Sequence, residues 1–421
     1  MLNHLYRVYA GFFNPPPARK RDDAIRFGLL GASNIAPVAL ITPAISHSEV
    51  IVAAVAARDR SRAEAYAQKH NIPVVHSTYE DLVQDPSIDA IYIALPNNLH
   101  CEWALRSLRA GKHVLLEKPS CSNAEEARAL FTHPLLKSPD APVLLEAFHY
   151  RFHPAWQTFL ARIHADPVGR VRKALAQQFL PKGVIGDDDI RWRFDLAGGA
   201  MMDFGTYPMN CLRQIFGQEP SEVLEVGVRG LAAPPVGLKE AEQVDQAITG
   251  RYRMADGAEG TLVADLAASG GWPLLPSSWT KRWPGLGWPK CEVELEEHVV
   301  EDKEGEVHTV QRNVVLWNHL MPSLYHRVDV EDTHVVRVGE EVVKSWKETR
   351  HEKAYKWASG DAQDWWTTYR YQLEEFVNKV KGREGSGVWV DAEDSIRQME
   401  AIDETYRKAG LKVRPGSDFQ L

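Results

Sequence analysis

The chain has 421 residues, 44% of them hydrophobic, and a net charge of −8, which predicts two domains with substantial cores and gives no reason to expect nucleic acid or an anionic membrane as partner. Its four cysteines, Cys101, Cys121, Cys211 and Cys291, stand far apart, so spacing suggests neither a zinc cluster nor a disulfide framework, and a reducing, cytoplasmic setting fits. No run is long and apolar enough to span a bilayer.

Residues 1–24 read as an N-terminal arm. The first 13 hold Arg7 and no acid, but they are too short and aromatic for an organelle presequence. Pro15-Pro16-Pro17 predicts a stiff extended spacer, and Arg19-Lys20-Arg21 are expected in solvent.

From residue 25 to 150 short apolar runs alternate with helical patterns. That predicts an α/β, doubly wound Rossmann dinucleotide-binding domain with strands near 26–31, 50–57, 73–76, 89–95, 113–117 and 142–148. Ser61 before Glu64 and Ser122 before Glu125 have capping-box spacing, and Gly111 ends a helix that begins near Asn98. Pro43, inside the first predicted helix, should kink or shorten it.

The first strand, Phe27-Gly28-Leu29-Leu30, turns through Gly31-Ala32-Ser33-Asn34-Ile35-Ala36 into a helical pattern, the form of a dinucleotide-binding turn. Gly31 permits the tight turn, and Ser33 stands where a second glycine usually lets the backbone approach a pyrophosphate. Backbone N–H groups at the helix start, with Asn34 and Ile35 beside them, point at the anion whatever the side chains. The second strand ends in Ala57-Arg58-Asp59. An acid there would accept from a ribose diol, whereas Arg58 presents a fork of donors suited to a 2′-phosphate, so NADP is read over NAD. The plainer alternative is a solvated Arg58 opening the next helix.

The fourth strand runs into Leu95-Pro96-Asn97-Asn98-Leu99-His100. Asn97 and Asn98 are placed to meet ribose or nicotinamide, with Asn98 also a natural helix cap, and His100 reads as a structural or cofactor-contacting residue. No partner with metal-ligand spacing stands near it. The fifth strand ends in Glu117-Lys118-Pro119, where a lysine faces the crevice in which such sheets bind ligands.

With Glu146-Ala147-Phe148-His149-Tyr150-Arg151-Phe152-His153-Pro154 and Leu196-Ala197-Gly198-Gly199-Ala200-Met201-Met202-Asp203-Phe204-Gly205-Thr206-Tyr207-Pro208, the Glu117-Lys118-Pro119 motif resembles the glucose–fructose oxidoreductase, inositol dehydrogenase and rhizopine-catabolism (Gfo/Idh/MocA) superfamily. The resemblance covers residues 25 to 215 and is strongest to its dihydrodiol dehydrogenase and NADP-dependent D-xylose dehydrogenase branch. It implies an NADP-dependent dehydrogenase oxidising a ring hydroxyl of a sugar, such as D-xylose to its lactone, or of a cyclic trans-diol. It implies a catalytic group of Lys118, Asp203 and Tyr207, and cofactor contacts from Leu95, Pro96, Asn97, His100, Glu117, Lys118, Arg151 and Trp192 in addition to Gly31, Ser33, Asn34, Ile35 and Arg58. It also implies a cis peptide before Pro119 and a homodimer formed through an open sheet.

Asp203 and Tyr207 are four apart, and a helix after Gly198-Gly199 would set them on one face. In relatives this face closes over the nicotinamide, so Tyr207 is expected to meet Lys118 across the cleft. An ammonium beside the hydroxyl would favour phenolate and make Tyr207 the general base, with Asp203 holding substrate hydroxyls or the catalytic pair. Two other readings stand beside this one. A glycoside hydrolase with a retained NAD is opposed by Arg58, and a non-catalytic sugar or nucleotide sensor by Lys118, Asp203 and Tyr207.

Residues 151–421 are expected to form a substrate-binding and oligomerisation domain, α+β, with a large, mostly antiparallel open sheet. Its strands are read near 170–180, 221–229, 243–253, 258–267, 291–300 and 307–317. Asp187-Asp188-Asp189 reads as a solvated turn, since consecutive acids do not converge on one ion, and no metal is expected. Trp192 packs either on nicotinamide or sugar, or in the core. Residues 271–290, with four tryptophans and four prolines, line a sugar pocket or a dimer interface. Residues 331–362 are expected as solvated loop and strand, and 364–381 and 392–410 as closing helices.

Overall fold

In a computed structural model the described residues are 2–417 and 419, apart from 165–167, 233–236, 271–276, 281–282, 286–288, 304 and 359. Six apolar runs, β1 (Ile25–Leu30), β2 (Val50–Ala56), β3 (Val74–His76), β4 (Ala90–Ile93), β5 (His113–Leu116) and β6 (Leu144–Glu146), pair in parallel in the order β3-β2-β1-β4-β5-β6. Helices cover both faces, so Phe27, Leu29, Val55, Ile91 and Leu115 are fully buried and the strands read as continuous apolar segments. The order reverses between β1 and β4, and a ligand crevice opens at the carboxyl ends of strands flanking such a reversal.

A second, nine-stranded sheet holds β7 (Val171–Pro181), β8 (Pro220–Gly230), β9 (Asp245–Met254), β10 (Glu259–Ala268), β11 (Lys290–Leu295), β12 (His298–Lys303), β13 (Glu306–Trp317), β14 (Arg327–Val338) and β15 (Glu341–Glu352). Its order is β15-β14-β13-β11-β7-β10-β9-β8, with β12 on β13; the β7–β10 pair is parallel and the other pairs are antiparallel. Alternation sets one face inward: Ile248, Tyr252 and Met254 of β9 are buried, while Arg251 and Arg253 between them are exposed. The Tyr252 hydroxyl meets Thr405 Oγ1 at 3.0 Å in the closing helix Ala392–Lys408. Thr367 and Asp391 cap the two closing helices, Thr368–Val380 and Ala392–Lys408. The first of these packs on the nucleotide sheet, with Phe376 and Phe27 ring centroids 5.6 Å apart.

Several expectations are corrected. The arm contains a helix, Leu2–Phe12, held by Arg7 over the Tyr355 ring, 3.6 Å from its centroid. Lys20 is exposed as expected, but its ammonium is tied down, donating to the carbonyls of Ala44 (2.5 Å) and His47 (2.9 Å); desolvation and the charge of Arg370 lower its pKa to about 8. Arg21 pairs with Glu49 at 3.1 Å. Asp59 and Asn123, not Ser61 and Ser122, cap their helices by accepting from the N–H of Arg62 and Glu126. Asn98 caps nothing, because the helix His100–Arg109 follows a 3₁₀ turn, Asn97–Leu99.

Pro43 acts as expected and in a specific way. Having no N–H for a 1→5 bond, it is preceded by a π turn, Pro37–Ile41, in which Thr42 N–H reaches back to Pro37 O, and only the short helix Thr42–Ile45 follows. The run 291–300 is two strands, β11 and β12. Residues 331–362 are mostly a long hairpin, β14–β15, turning at Gly339, which takes φ +60°. It escaped notice because edge strand β15 is exposed along nearly its whole length and carries charges that discourage further pairing. Most of 271–290 lies outside the described residues; Trp279 and Trp283 within it are exposed.

Candidate active site

Gly31 takes φ +96°, and a Cβ there would lie 3.1 Å from Leu95 Cδ2 and 3.2 Å from Ala94 O, so the turn that follows β1, packed beside the end of β4, accepts only glycine without strain. Ser33 Oγ accepts the Ala36 N–H at 3.2 Å, and Tyr66 donates its hydroxyl to Ser33 O at 3.0 Å. Asn34 is exposed and Ile35 half-buried at the same turn. Arg58 is exposed beyond the end of β2. Arg62, which sequence reasoning missed, joins this corner: its Nη2 donates to Ala32 O at 3.0 Å. Its signal was the Asp59 cap, which sets the first helical turn against the glycine turn.

Beyond β4, Leu95 is buried, Pro96 is half-buried, and Asn97 Nδ2 donates to Ala197 O at 2.9 Å across to the second half of the molecule. His100, read as a structural or cofactor-contacting residue, has a buried ring with Nδ1 2.8 Å from Pro119 O and Nε2 2.9 Å from Leu95 O, linking the ends of β4 and β5. Burial lowers its pKa to about 4. Glu117, also buried, accepts the Tyr92 hydroxyl at 2.7 Å, and burial raises its pKa. Arg151 spends its guanidinium on Asp394 and on Trp389 O (3.0 Å). Trp192 is buried in the core, donating Nε1–H to Gly186 O at 2.8 Å. Asp189, from the expected solvated turn, caps the Ile190–Trp192 turn and pairs with Arg191 at 3.0 Å.

The peptide between Lys118 and Pro119 is cis. Lys118 Nζ donates to Asp203 Oδ1 at 2.7 Å and to Asp203 O at 3.0 Å. Arg191 grips the other carboxylate oxygen. Burial pushes the Asp203 pKa up, but the charges of Lys118 and Arg191 outweigh it and hold the carboxyl below its ordinary range. Asp203 lies on a π turn, Met201–Gly205, that leads into the helix Thr206–Phe216. A buried network fixes where this turn begins. Asp245 accepts from Met201 N–H (2.6 Å) and Arg414 Nη2 (2.6 Å), and Arg414 Nε donates to Gly198 O (2.6 Å). Gly199, at φ +128°, leaves room for that pair, since a Cβ would fall 2.1 Å from Asp245 Oδ1.

Tyr207 converges on the same place, but not as expected. Lys118 Nζ lies 4.8 Å from the centre of its ring, and the hydroxyl meets His149 Nε2 at 3.1 Å. Burial raises the phenol's pKa well above its ordinary value, with Tyr369, Glu117 and Asp203 adding to the effect. His149 stood in the family-like motif without being singled out, since nothing local links it to a tyrosine 58 residues on. The cysteines are free and buried, and folding brings Cys211 and Cys291 together with His319, their ligand atoms within 4.8 Å of one another, which spacing alone did not suggest.

A glycine-turned parallel sheet whose fifth strand presents a lysine to a carboxylate and a phenol carried by the chain that leads into a second, mostly antiparallel sheet has the form of an oxidoreductase with a dinucleotide-binding domain. The chain belongs to the GFO_IDH_MocA oxidoreductase family: residues 25–134 match its NAD-binding Rossmann fold and residues 156–293 its C-terminal domain.

Among relatives, it is 42% identical over 192 residues to D-xylose 1-dehydrogenase (NADP(+)) 2 of Haloferax volcanii, covering 45% of this chain and 57% of that protein. It is 35% identical over 212 residues to trans-1,2-dihydrobenzene-1,2-diol dehydrogenase of Mus musculus, covering 48% and 60%. The matched stretch thus spans less than two thirds of either relative. A 3-ketoreductase from Actinomadura kijaniata, solved with NADP and TDP-benzene, superposes with a TM-score of 0.65 at 21% identity over 92% of this chain and 98% of that one, a likeness of fold. Among the described residues no helix is long and apolar enough to cross a membrane.

Proposed function

We propose that the protein is an NADP-dependent oxidoreductase that oxidises a ring hydroxyl of a sugar, such as D-xylose to its lactone, or of a cyclic trans-diol. The observation that carries this reading is the Lys118–Asp203 contact at 2.7 Å, with the Tyr207 ring 4.8 Å from the same ammonium, at the carboxyl end of β5. The xylose and dihydrodiol dehydrogenases among its relatives support it.

Gly31, where a Cβ would crowd Leu95 and Ala94, keeps the turn tight, and the backbone N–H groups that follow it fit a pyrophosphate. Exposed Arg58, and Arg62 at the same turn, present guanidinium forks for a 2′-phosphate. A bound nicotinamide supplies the hydride acceptor. Lys118 and Asp203 orient the substrate hydroxyl, Arg191 fixes the carboxylate, and Tyr207 Oη receives the hydroxyl proton. Residues 25–150 serve as the nucleotide domain, 151–421 as the substrate domain, and the exposed face of the nine-stranded sheet pairs two subunits. Sedimentation showing only monomer at micromolar concentration would remove the dimer.

The deciding experiment mixes purified protein with NADP⁺ and a panel of pentoses, hexoses and cyclic diols while reduced cofactor is followed by absorbance. Steady reduction is expected with at least one ring substrate. No reduction, accompanied by cleavage of aryl glycosides, would replace this reading with the hydrolase.

A further inference from the structure

His149 lies in a 3₁₀ turn, His149–Phe152, just after β6, and is 1% exposed. Its ring stacks on Tyr369, centroids 3.9 Å apart and planes 28° from parallel, which fixes the plane of the ring. Nδ1 is 2.8 Å from Thr368 Oγ1, and Nε2 is 3.1 Å from the Tyr207 hydroxyl. Among the described residues the Thr368 hydroxyl has no other hydrogen-bond partner. With the Thr368 proton on Nδ1, the imidazole's own hydrogen stands on Nε2 and points at the phenol oxygen; with the Tyr207 proton on Nε2 it stands on Nδ1, and the tautomer separates the two arrangements.

We propose that His149 is a positioning residue, whose Nε2–H donates to Tyr207 Oη and steadies the phenolate through which that tyrosine takes the substrate's proton. The inference rests on the dehydrogenase reading and deepens it. In the oxidation Tyr207 first loses its phenol proton to solvent; the phenolate oxygen then takes the substrate O–H proton while the adjacent carbon gives up its hydride, two electrons with it, to the nicotinamide of NADP⁺, and the substrate leaves as a carbonyl compound.

Tyr207 is faced by Lys118 and Glu117 from the end of β5, by Asp203 from the π turn, by Tyr369 from the helix Thr368–Val380, by Tyr150, and by His149. Burial, then Tyr369, Glu117 and Asp203, favours the phenol; the Lys118 ammonium, 4.8 Å from the ring centre, and an imidazole N–H at the oxygen favour the phenolate. His149 is itself faced by Tyr207, Tyr369, Lys118 and His319, and burial with the last two keeps its ring neutral, its pKa lowered to about 3. A neutral ring has a single N–H, which the proposal assigns to Nε2.

The test compares His149→Met, which has no donor, with His149→Gln, which keeps one, in the full-length enzyme. His149→Met is expected to lower kcat about tenfold and to move the midpoint of its rise with pH upward by about one unit, with KM and NADP⁺ affinity changed less than about threefold. His149→Gln is expected to restore most of that midpoint. Wild-type turnover by His149→Met, or lost turnover with an unmoved midpoint, overturns the proposal. Independently of activity, ¹⁵N-histidine spectra of the wild type should show the resonance missing from His149→Gln as an Nε2–H tautomer, neutral down to about pH 5. An Nδ1–H tautomer, or titration near the ordinary histidine pKa, overturns it as well. A wild type that reduces no cofactor sinks the dehydrogenase reading, while the tautomer measurement still judges the Tyr207 contact.

Discussion

Lys118 and Asp203 are joined twice, through the carboxylate at 2.7 Å and the main-chain carbonyl at 3.0 Å, and this grip leaves the ammonium over the Tyr207 ring rather than at its hydroxyl. The lysine thus orders the carboxylate directly and influences the phenol only through its charge.

Replacing Lys118 with alanine should lower kcat by about 10²–10⁴-fold while NADP binding stays near wild type, because the lysine stands by the reacting atoms and not at the Gly31 turn. Steady-state kinetics beside a fluorescence titration with NADPH separate the two effects. Equal loss of both would show that the lysine serves cofactor binding instead.

Arg58→Ala and Arg62→Ala should each weaken NADP⁺ binding by about tenfold, a loss of about 1.4 kcal/mol, and leave NAD⁺ almost untouched, since only NADP carries the 2′-phosphate. Calorimetric titration with both cofactors checks this, and parallel weakening of the two would undo the phosphate assignment.

Glu146 is fully buried and accepts the Ser120 N–H at 2.8 Å; burial raises its pKa to about 7 despite that opposing hydrogen bond. A raised carboxyl pKa means that the folded chain keeps a proton the unfolded chain has released. Its contribution is therefore whole below pH 4.5 and falls as pH climbs to about 7, by about 3 kcal/mol in all. Glu146→Gln should flatten the stability profile across that window in urea unfolding. Profiles that stay parallel would contradict the raised pKa.

Arg414→Ala strands the fully buried Asp245 carboxylate and should cost about 3–5 kcal/mol of stability, visible as a lower urea midpoint. Adding Asp245→Asn should cost much less than the sum of the two single changes, because both act on one network. Simple additivity would mean that the pair does not work as a unit.

The nucleotide half was readable because its signals are short-range. A sheet covered on both faces leaves unbroken apolar runs, and β1 to β6 fall where those runs are. The second sheet was readable where one face is buried, as in β9, and not where neither is, as in β15. The caps were misplaced by one or two residues because Asp59 and Asn123 compete with the serines beside them for the same orphan N–H groups.

By itself the sequence determined the fold class, the glycine-dependent turn at Gly31 and the lysine at the end of β5, since periodicity and backbone geometry are properties of neighbouring residues. Only the tertiary structure decided the partners: Asp203 rather than the phenol hydroxyl for Lys118, His149 for Tyr207, two carbonyls for His100, and Asp394 for Arg151. Apart from His100, these contacts join residues dozens to hundreds of positions apart, and all of them depend on how elements stack, with each buried polar group taking the counterpart that packing brings within reach.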